Sequence, residues 1–451
     1  MKLQFFGLEN TGKGFWETVR NIGWTSTNRI VRMGGALVVG TVVVRYLGPA
    51  QYGSFSFAFA LFGLFNVVSN LGLDYLVVSE IALSHDEVSK REVLGTAFWL
   101  KICASVATTV AASLYAWWSH SSEIVVVVMV AMFSVAAITQ GFDVVDYFFQ
   151  ARTRSRVVVI PQLIVFVLTN LARITAILLK QSLLVFGIIA ALEILVTEIG
   201  LALAYQTAER DIFQWAFSRA RAKRLLRASW PLLISGLLII VYMRTDQILL
   251  GTLSSKMVVG FYSAATKLSE IWYAIPSLIC ASVMPRLLAR KGNDPSFYYT
   301  RLQTLYNMLA KISLLIGLGG LVVSKYLILL LFGKAFLPAA QVLNVHIWTA
   351  PFVFIGVVGG MQLIHENLTR FALQRSIVGA VCNVALNFML IPRFGAVGSA
   401  LATLFTQVIA SYLMDAANRE TRHIFAMKSR ALFSLWPSAR SPRGAKALVD
   451  A

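Results

Sequence analysis

The chain has 451 residues, 57% of them hydrophobic and 14% charged, with a mean hydropathy of +0.71. A soluble globule carries about 25% charge and about 45–50% apolar residues, so the composition excludes a soluble enzyme and predicts a polytopic inner-membrane protein. The net charge is +19, but the cations lie between long apolar runs, where they set orientation, and no nucleic-acid partner is expected.

The opening stretch MKLQFFGLEN has a lysine and no continuous apolar core. No cleavable signal peptide is therefore expected, and 1–20 reads as a cytoplasmic segment. Runs long enough to cross a bilayer, at about 20 residues each, follow near 22–47, 53–73, 93–117, 124–149, 157–179 and 183–206. A basic connection, 207–227, leads to further runs near 228–251, 259–285, 304–323, 341–364, 371–391 and 396–414. The ninth run reaches Phe332 if KYLILLLFG belongs to it. The expected fold is all-α, with twelve transmembrane helices in two pseudo-symmetric six-helix lobes, 21–206 and 228–415, around a central cavity. The basic tail, 416–451, is expected to be cytoplasmic and disordered.

Lys2, Lys13, Arg20, Lys90, Arg91, Arg152, Arg154 and Arg156 fall on one side, with the cations of 210–227, 286–301, 370–375 and the tail. The opposite connections hold only Arg45, Lys180, Lys256, Lys325, Lys334 and Arg393. The positive-inside bias puts both termini and 207–227 in the cytoplasm. In that connection Ile212, Phe213, Trp215 and Phe217 precede a run of Arg and Lys, which suits a helix lying on anionic lipids as well as a plain basic loop. The outer connections are short, SHSSE at 119–123 and KQS at 180–182. They leave little backbone for bond-making chemistry outside. Cys103, Cys280 and Cys382 sit singly in apolar runs without ligand spacing, and no cofactor or metal site is expected.

YGSFSFAFAL (52–61) aligns without a gap with VGFYSAATKL (259–268), and Gly187, Ala191 and Glu209 echo Gly398, Ala402 and Glu420. Two halves in the same orientation point to a transporter with its pathway between them. RYLGPAQYGSFSFAFALFGLFNVVSNLGLDYLVVSEIA (45–82) resembles the opening motif of the polysaccharide transport family, the O-antigen and exopolysaccharide flippases of the multidrug/oligosaccharidyl-lipid/polysaccharide exporter superfamily. TDQILLGTLSSKMVVGFYSAATKLSE (245–270), LLFGKAFLPAAQVLNV (330–345) and NVALNFMLIPRFGAVGSALATLFTQ (383–407) agree with it, in the family's order. The resemblance implies an undecaprenyl-pyrophosphate-linked glycan as cargo, flipped from the cytoplasmic to the periplasmic leaflet by alternating access. It also implies a polysaccharide polymerase and a chain-length regulator as partners. Multidrug extruders of the superfamily often carry a carboxylate in the first helix, where this chain has Arg29 and Arg32. Organic-cation export and lipid II flipping are the alternative activities, and a non-transporting scaffold is a third reading.

Charges inside the spans must face a bundle interior or a wet cavity. Arg29 and Arg32, three residues apart and so on one helical face, lie about 10–15 Å in from the cytoplasmic end of their helix. They suit a pyrophosphate; an ion pair with Asp143 or Asp146 is the rival account. Arg244 and Lys267, each about 10–14 Å deep, are further phosphate candidates. Asp246, Glu270, Asp143, Asp146, Glu193 and Glu198 are candidates for ion coupling or cavity pairing, and Lys101, Arg173 and Lys311 for simple pairing. Pro276 and Pro351 read as bends inside helices and candidate hinges.

Overall fold

A computed structural model of the chain describes residues 12–84, 86–209, 212–291 and 294–433. The expected segments at 1–11 and 434–451 lie outside the described residues, as does Arg210. Every regular element among the described residues is a helix, and ten helical stretches are long and apolar enough to cross a membrane. Two of these, Gly23–Leu83 with 61 residues and Thr369–Ala417 with 49, would run about 90 and about 75 Å if straight. A hydrocarbon core is only about 30 Å thick. Both stretches break at a glycine: Gly48 has φ 72° and Gly395 φ 54°, a backbone region in which a Cβ is strained. The breaks fall where one apolar run ends and the next begins.

The chain divides into two compact units, Met1–Arg244 and Thr245–Ala451. The first holds α1 (Gly12–Ser69), α2 (Asp74–Leu83), α3 (Glu87–His120), α4 (Ile124–Ala137), α5 (Asp143–Ala151), α6 (Arg156–Leu178), α7 (Leu183–Glu209) and the first part of α8 (Arg219–Leu253). A 3-10 turn, Ile138–Phe142, separates α4 from α5. Helix α1 packs on α3, α4 and α6, and α7 on α4 and α6. Lipid is as apolar as these side chains, so close packing holds such interfaces.

The expected boundary at 207–227 is displaced to within α8, because the connection is bound into the first unit. Trp215 packs edge-to-face against Phe98 and Tyr205, at ring-centroid distances of 5.6 and 5.2 Å. Ala216 passes so close to α3 that a Cβ on Gly95 would lie 2.5 Å from its carbonyl oxygen. The Ser218 N–H donates to Thr96 Oγ1 at 3.1 Å. Arg221 pairs with Glu80 and Glu92 at 3.2 and 3.1 Å, and Arg224 reaches Glu80 at 3.1 Å. Of the two readings of this connection, an interfacial helix or a plain basic loop, neither describes it fully. Of its four apolar anchors, Ile212 and Trp215 turn into the protein and Phe213 and Phe217 stay exposed, and the helix begins at Arg219.

The second unit holds the end of α8, then α9 (Lys256–Glu270), α10 (Ala274–Lys291), α11 (Pro295–Leu331), α12 (Ala339–His346), α13 (Thr349–His365), α14 (Thr369–Val408), α15 (Met414–Ala417) and α16 (Arg422–Phe433). Helix α11 extends the ninth run to Leu331. Pro276 and Pro351 lie inside the helical stretches Lys256–Leu288 and Ala339–His365, where each follows an irregular turn. Each sits in the first turn of a new helix, α10 after the 3-10 turn Ile271–Tyr273 and α13 after a break at Ile347 and Trp348. There a missing N–H has no intrahelical partner to lose, and the Ile347 carbonyl accepts from the Ala350 N–H at 3.1 Å.

The expected disorder of the tail is corrected over 416–433. Helix α16 packs Met427 and Ala431 into the core formed by Tyr306, Leu309, Phe354 and Val358. Its Lys428 is fully buried. The ammonium donates to Asp415 Oδ2 at 2.8 Å and to the Ser411 carbonyl at 2.6 Å, and Arg375 pairs with the same carboxylate. Ser411 lies in a π-helical turn, Ile409–Leu413, a geometry that disturbs the ordinary carbonyl ladder. His423 also ties α16 to Glu366 at 2.8 Å. Burial alone would raise the Glu366 carboxyl, but hydrogen bonds from His423 and Gln362 hold it below its ordinary range.

Two stability measurements test these contacts. Gly95→Val forces overpacking against Ala216 and should cost about 1–3 kcal/mol, seen as a lower Tm and faster proteolysis within 212–218. A wild-type Tm would contradict the close approach. Asp415→Asn leaves Lys428 and Arg375 buried without their anion and should cost about 3–5 kcal/mol. Adding Lys428→Met should then cause no further loss; additive losses would overturn the buried-pair account.

Candidate functional site

Charged residues within the spans gather into distinct groups. On α1, Arg29 is exposed and has no ion pair among the described residues. The Arg32 side chain is 39% exposed, with Nη2 at 3.9 Å from Glu193 Oε1 and its guanidinium 5.6 Å from the Phe166 ring centroid. Arg173 of α6 takes the other Glu193 oxygen at 2.5 Å and also donates to Asn170 Oδ1 at 3.4 Å. Gly35 lies against Phe166, whereas Gly34 faces open space. The rival account, an ion pair of Arg29 or Arg32 with Asp143 or Asp146, does not match the contacts: Glu193 of α7 is the carboxylate brought to Arg32, and Asp143 is engaged by Lys101 at 2.6 Å. One carboxylate thus serves two guanidiniums, with a third nearby on the same face of α1. Such a surplus can hold an anion through paired, charge-assisted hydrogen bonds.

In the second unit the centre is Asp246, 3% exposed. Asn387 Nδ2 donates to its Oδ1 at 2.7 Å, and Thr403 Oγ1 and the Tyr262 hydroxyl both donate to Oδ2, the former at 2.5 Å. Ser399 fixes the amide by donating to Asn387 Oδ1 at 2.7 Å. Asn383, one turn before Asn387, lies fully buried, and neither of its amide atoms makes a hydrogen bond of good geometry among the described residues. All of these neighbours are neutral. A carboxylate so enclosed is costly as a bare anion, so the arrangement can take up a proton or a cation. Sequence reasoning singled out Asp246 but missed Tyr262, Asn383, Asn387, Ser399 and Thr403. Neutral polar residues in an apolar run carry no charge signal; the available clue is the four-residue spacing of Asn383 with Asn387 and of Ser399 with Thr403.

Arg244 is half-buried and has neither ion pair nor hydrogen bond among the described residues. Lys267 and Glu270 are half-buried near the end of α9. Lys101, Asp143, Asp146 and Glu198 meet in the first unit, where α3, α5 and α7 come together.

Among curated proteins, the probable flippase AglR of Haloferax volcanii is 28% identical over 182 residues, covering 38% of this chain and 37% of that protein. The chain thus spans little more than a third of the curated relative it matches. Among solved structures, the lipid II flippase MurJ in an inward closed conformation superposes with a TM-score of 0.66 at 14% identity, over 94% of this chain and 93% of that one. An inward-facing multidrug resistance MATE family transporter of the MOP superfamily gives 0.64 at 14% identity, over 91% and 99%. At such identities the likeness is one of fold. The model of the polysaccharide biosynthesis protein family matches residues 18–288. That is more than half of the sequence, and the chain belongs to this family.

Proposed function

We propose that the protein is a flippase, moving an undecaprenyl-pyrophosphate-linked oligosaccharide repeat unit from the cytoplasmic to the periplasmic leaflet of the bacterial inner membrane. The cycle is alternating access across twelve membrane crossings with both termini cytoplasmic. The product feeds O-antigen, capsule or exopolysaccharide synthesis, with a polymerase and a chain-length regulator downstream. The activity is transport and not bond chemistry. Family membership and the helical fold support the class. The observation that carries the cargo is the surplus of guanidinium in the first unit, where Arg32 and Arg173 share Glu193 and Arg29 stays unpaired among the described residues.

Arg29 and Arg32 hold the pyrophosphate oxygens, and Arg244 and Lys267 are further phosphate-binding candidates, each in its own unit. A surplus of positive charge opposes an organic-cation cargo. Asp246 is the coupling carboxylate of the second unit, taking up a proton or an alkali cation. Glu270 accompanies Lys267.

Proteoliposomes loaded with a fluorescent short-chain polyprenyl pyrophosphate test the cargo site. Each Arg→Ala change removes charge-assisted bonds worth about 1.5–3 kcal/mol, so affinity should fall roughly 10–100-fold at Arg29 or Arg32, with Arg→Lys retaining part. Full transport by the Arg29→Ala/Arg32→Ala double variant would refute the phosphate role. Asp246→Asn keeps the shape and removes the titrating group. It should leave probe affinity within a factor of about two while abolishing gradient-driven transport, and undiminished driven transport would remove Asp246 from coupling.

A further inference from the structure

Glu193 does not serve its two guanidiniums equally. Arg173 donates to one of its oxygens at 2.5 Å and to Asn170 Oδ1 at 3.4 Å. Asn170 is fixed in turn, since its Nδ2 donates to the Phe166 carbonyl at 2.7 Å. Arg32 stands 3.9 Å from the other Glu193 oxygen, beyond hydrogen-bond range. It makes no hydrogen bond among the described residues, so its N–H donors are unclaimed there, and its guanidinium rests against the Phe166 ring. The Arg32 side chain is 39% exposed, against 21% for Arg173 and 18% for Glu193. Three helices of the first unit supply the group: α1, α6 and α7, which pack on one another.

The asymmetry decides which contact gives way. Glu193 offsets part of the Arg32 charge through space alone. A phosphate oxygen arriving at Arg32 meets unclaimed donors and can form the paired, charge-assisted hydrogen bonds that Glu193 does not make. Glu193 keeps a bonded partner in Arg173 throughout, so no half-buried carboxylate is left unmatched. The carboxylate also repels an anion seated beside it, which limits how tightly that anion is held. A transport site needs such a limit, because a cargo bound too firmly before the crossing slows the crossing itself.

We infer that Glu193 is an exchangeable counter-ion: it yields Arg32 to the phosphate of the cargo, stays with Arg173, and takes Arg32 back as the phosphate leaves. The inference rests on the phosphate role proposed for Arg32. Glu193 is then a positioning residue that sets how firmly the cargo is held, and Arg173 acts by holding Glu193, not by touching the phosphate. A purely structural pair tying α6 to α7 makes no such distinction, because loss of either member would loosen the site.

The test titrates the full chain, in detergent micelles, with a water-soluble short-chain polyprenyl pyrophosphate followed by calorimetry. Glu193→Gln keeps the shape, removes the competing charge, and should tighten binding about tenfold or more. Arg173→Gln leaves Glu193 to Arg32 alone and should weaken binding by about the same factor. The double variant leaves neither member of the pair unmatched and should bind at least as tightly as the wild type, which also covers misfolding of either single variant. Glu193→Asp keeps the charge and should bind closer to the wild type than Glu193→Gln does. In proteoliposomes, Glu193→Gln should lower KM and the maximal rate together, because it strengthens the hold on the bound cargo. Weaker or unchanged binding by a folded Glu193→Gln protein overturns the counter-ion, as does a double variant as weak as Arg173→Gln. A lower maximal rate with unchanged KM overturns it too. Each of those results, with a wild type that binds the probe, leaves the cargo reading standing. A wild type that does not bind the pyrophosphate refutes the cargo reading and the counter-ion with it.

Discussion

Hydrocarbon solvates neither a charge nor a peptide group, and each main feature of this protein answers that constraint. Helices satisfy their own backbone, so the described chain is built from them. Where a helix must bend, the freed groups need partners inside the protein. The Ile347 carbonyl finds the Ala350 N–H beside Pro351, and the Ser411 carbonyl of the π-helical turn finds the Lys428 ammonium. Gly48 and Gly395 turn the chain in a conformation other residues would resist.

The same constraint makes charge balance a guide to purpose. Asp415 is matched by Lys428 and Arg375, and all three lie in the packed interior of the second unit. That set has the same one-to-two balance as Glu193 with its guanidiniums, but it lies closed within the core, where it anchors α16. Asp246 has only neutral partners, Glu193 is outnumbered by guanidiniums, and Lys101 is outnumbered by carboxylates. Each of these three is left with charge that its neighbours in the protein do not match. A transporter needs such incompleteness, because a site satisfied by its own protein has no affinity left for cargo or coupling ion.

Two segments that look like plain topology signals are structural. The arginines of the connection after α7 carry the charge expected of a cytoplasmic loop, yet Arg221 spends its guanidinium on Glu80 and Glu92. The tail resembles a basic solvated segment, although Ile424, Met427, Lys428 and Ala431 form one buried face at helical spacing. The lysine within that face concealed it. A charged residue at a core position reads as exposure until its anion is known, and Asp415 lies on the far side of a chain reversal.

Hydropathy and backbone preference are local properties, and what depends on them was legible in the sequence by itself: the helical membrane class, the positions of the runs, the breaks near Gly48 and Gly395, and the family. The identity of Asp246 and Arg32 as charges needing a reason was legible for the same cause. Partnership is not local. Only the tertiary structure decided that Arg32 meets Glu193 and not Asp143, that Lys101 takes Asp143, and that Asp246 is surrounded by Tyr262, Asn387 and Thr403. These partners are separated by tens to more than a hundred residues, and which of several equivalent helix faces meet is set by the packing of the whole bundle, which no single stretch of sequence contains.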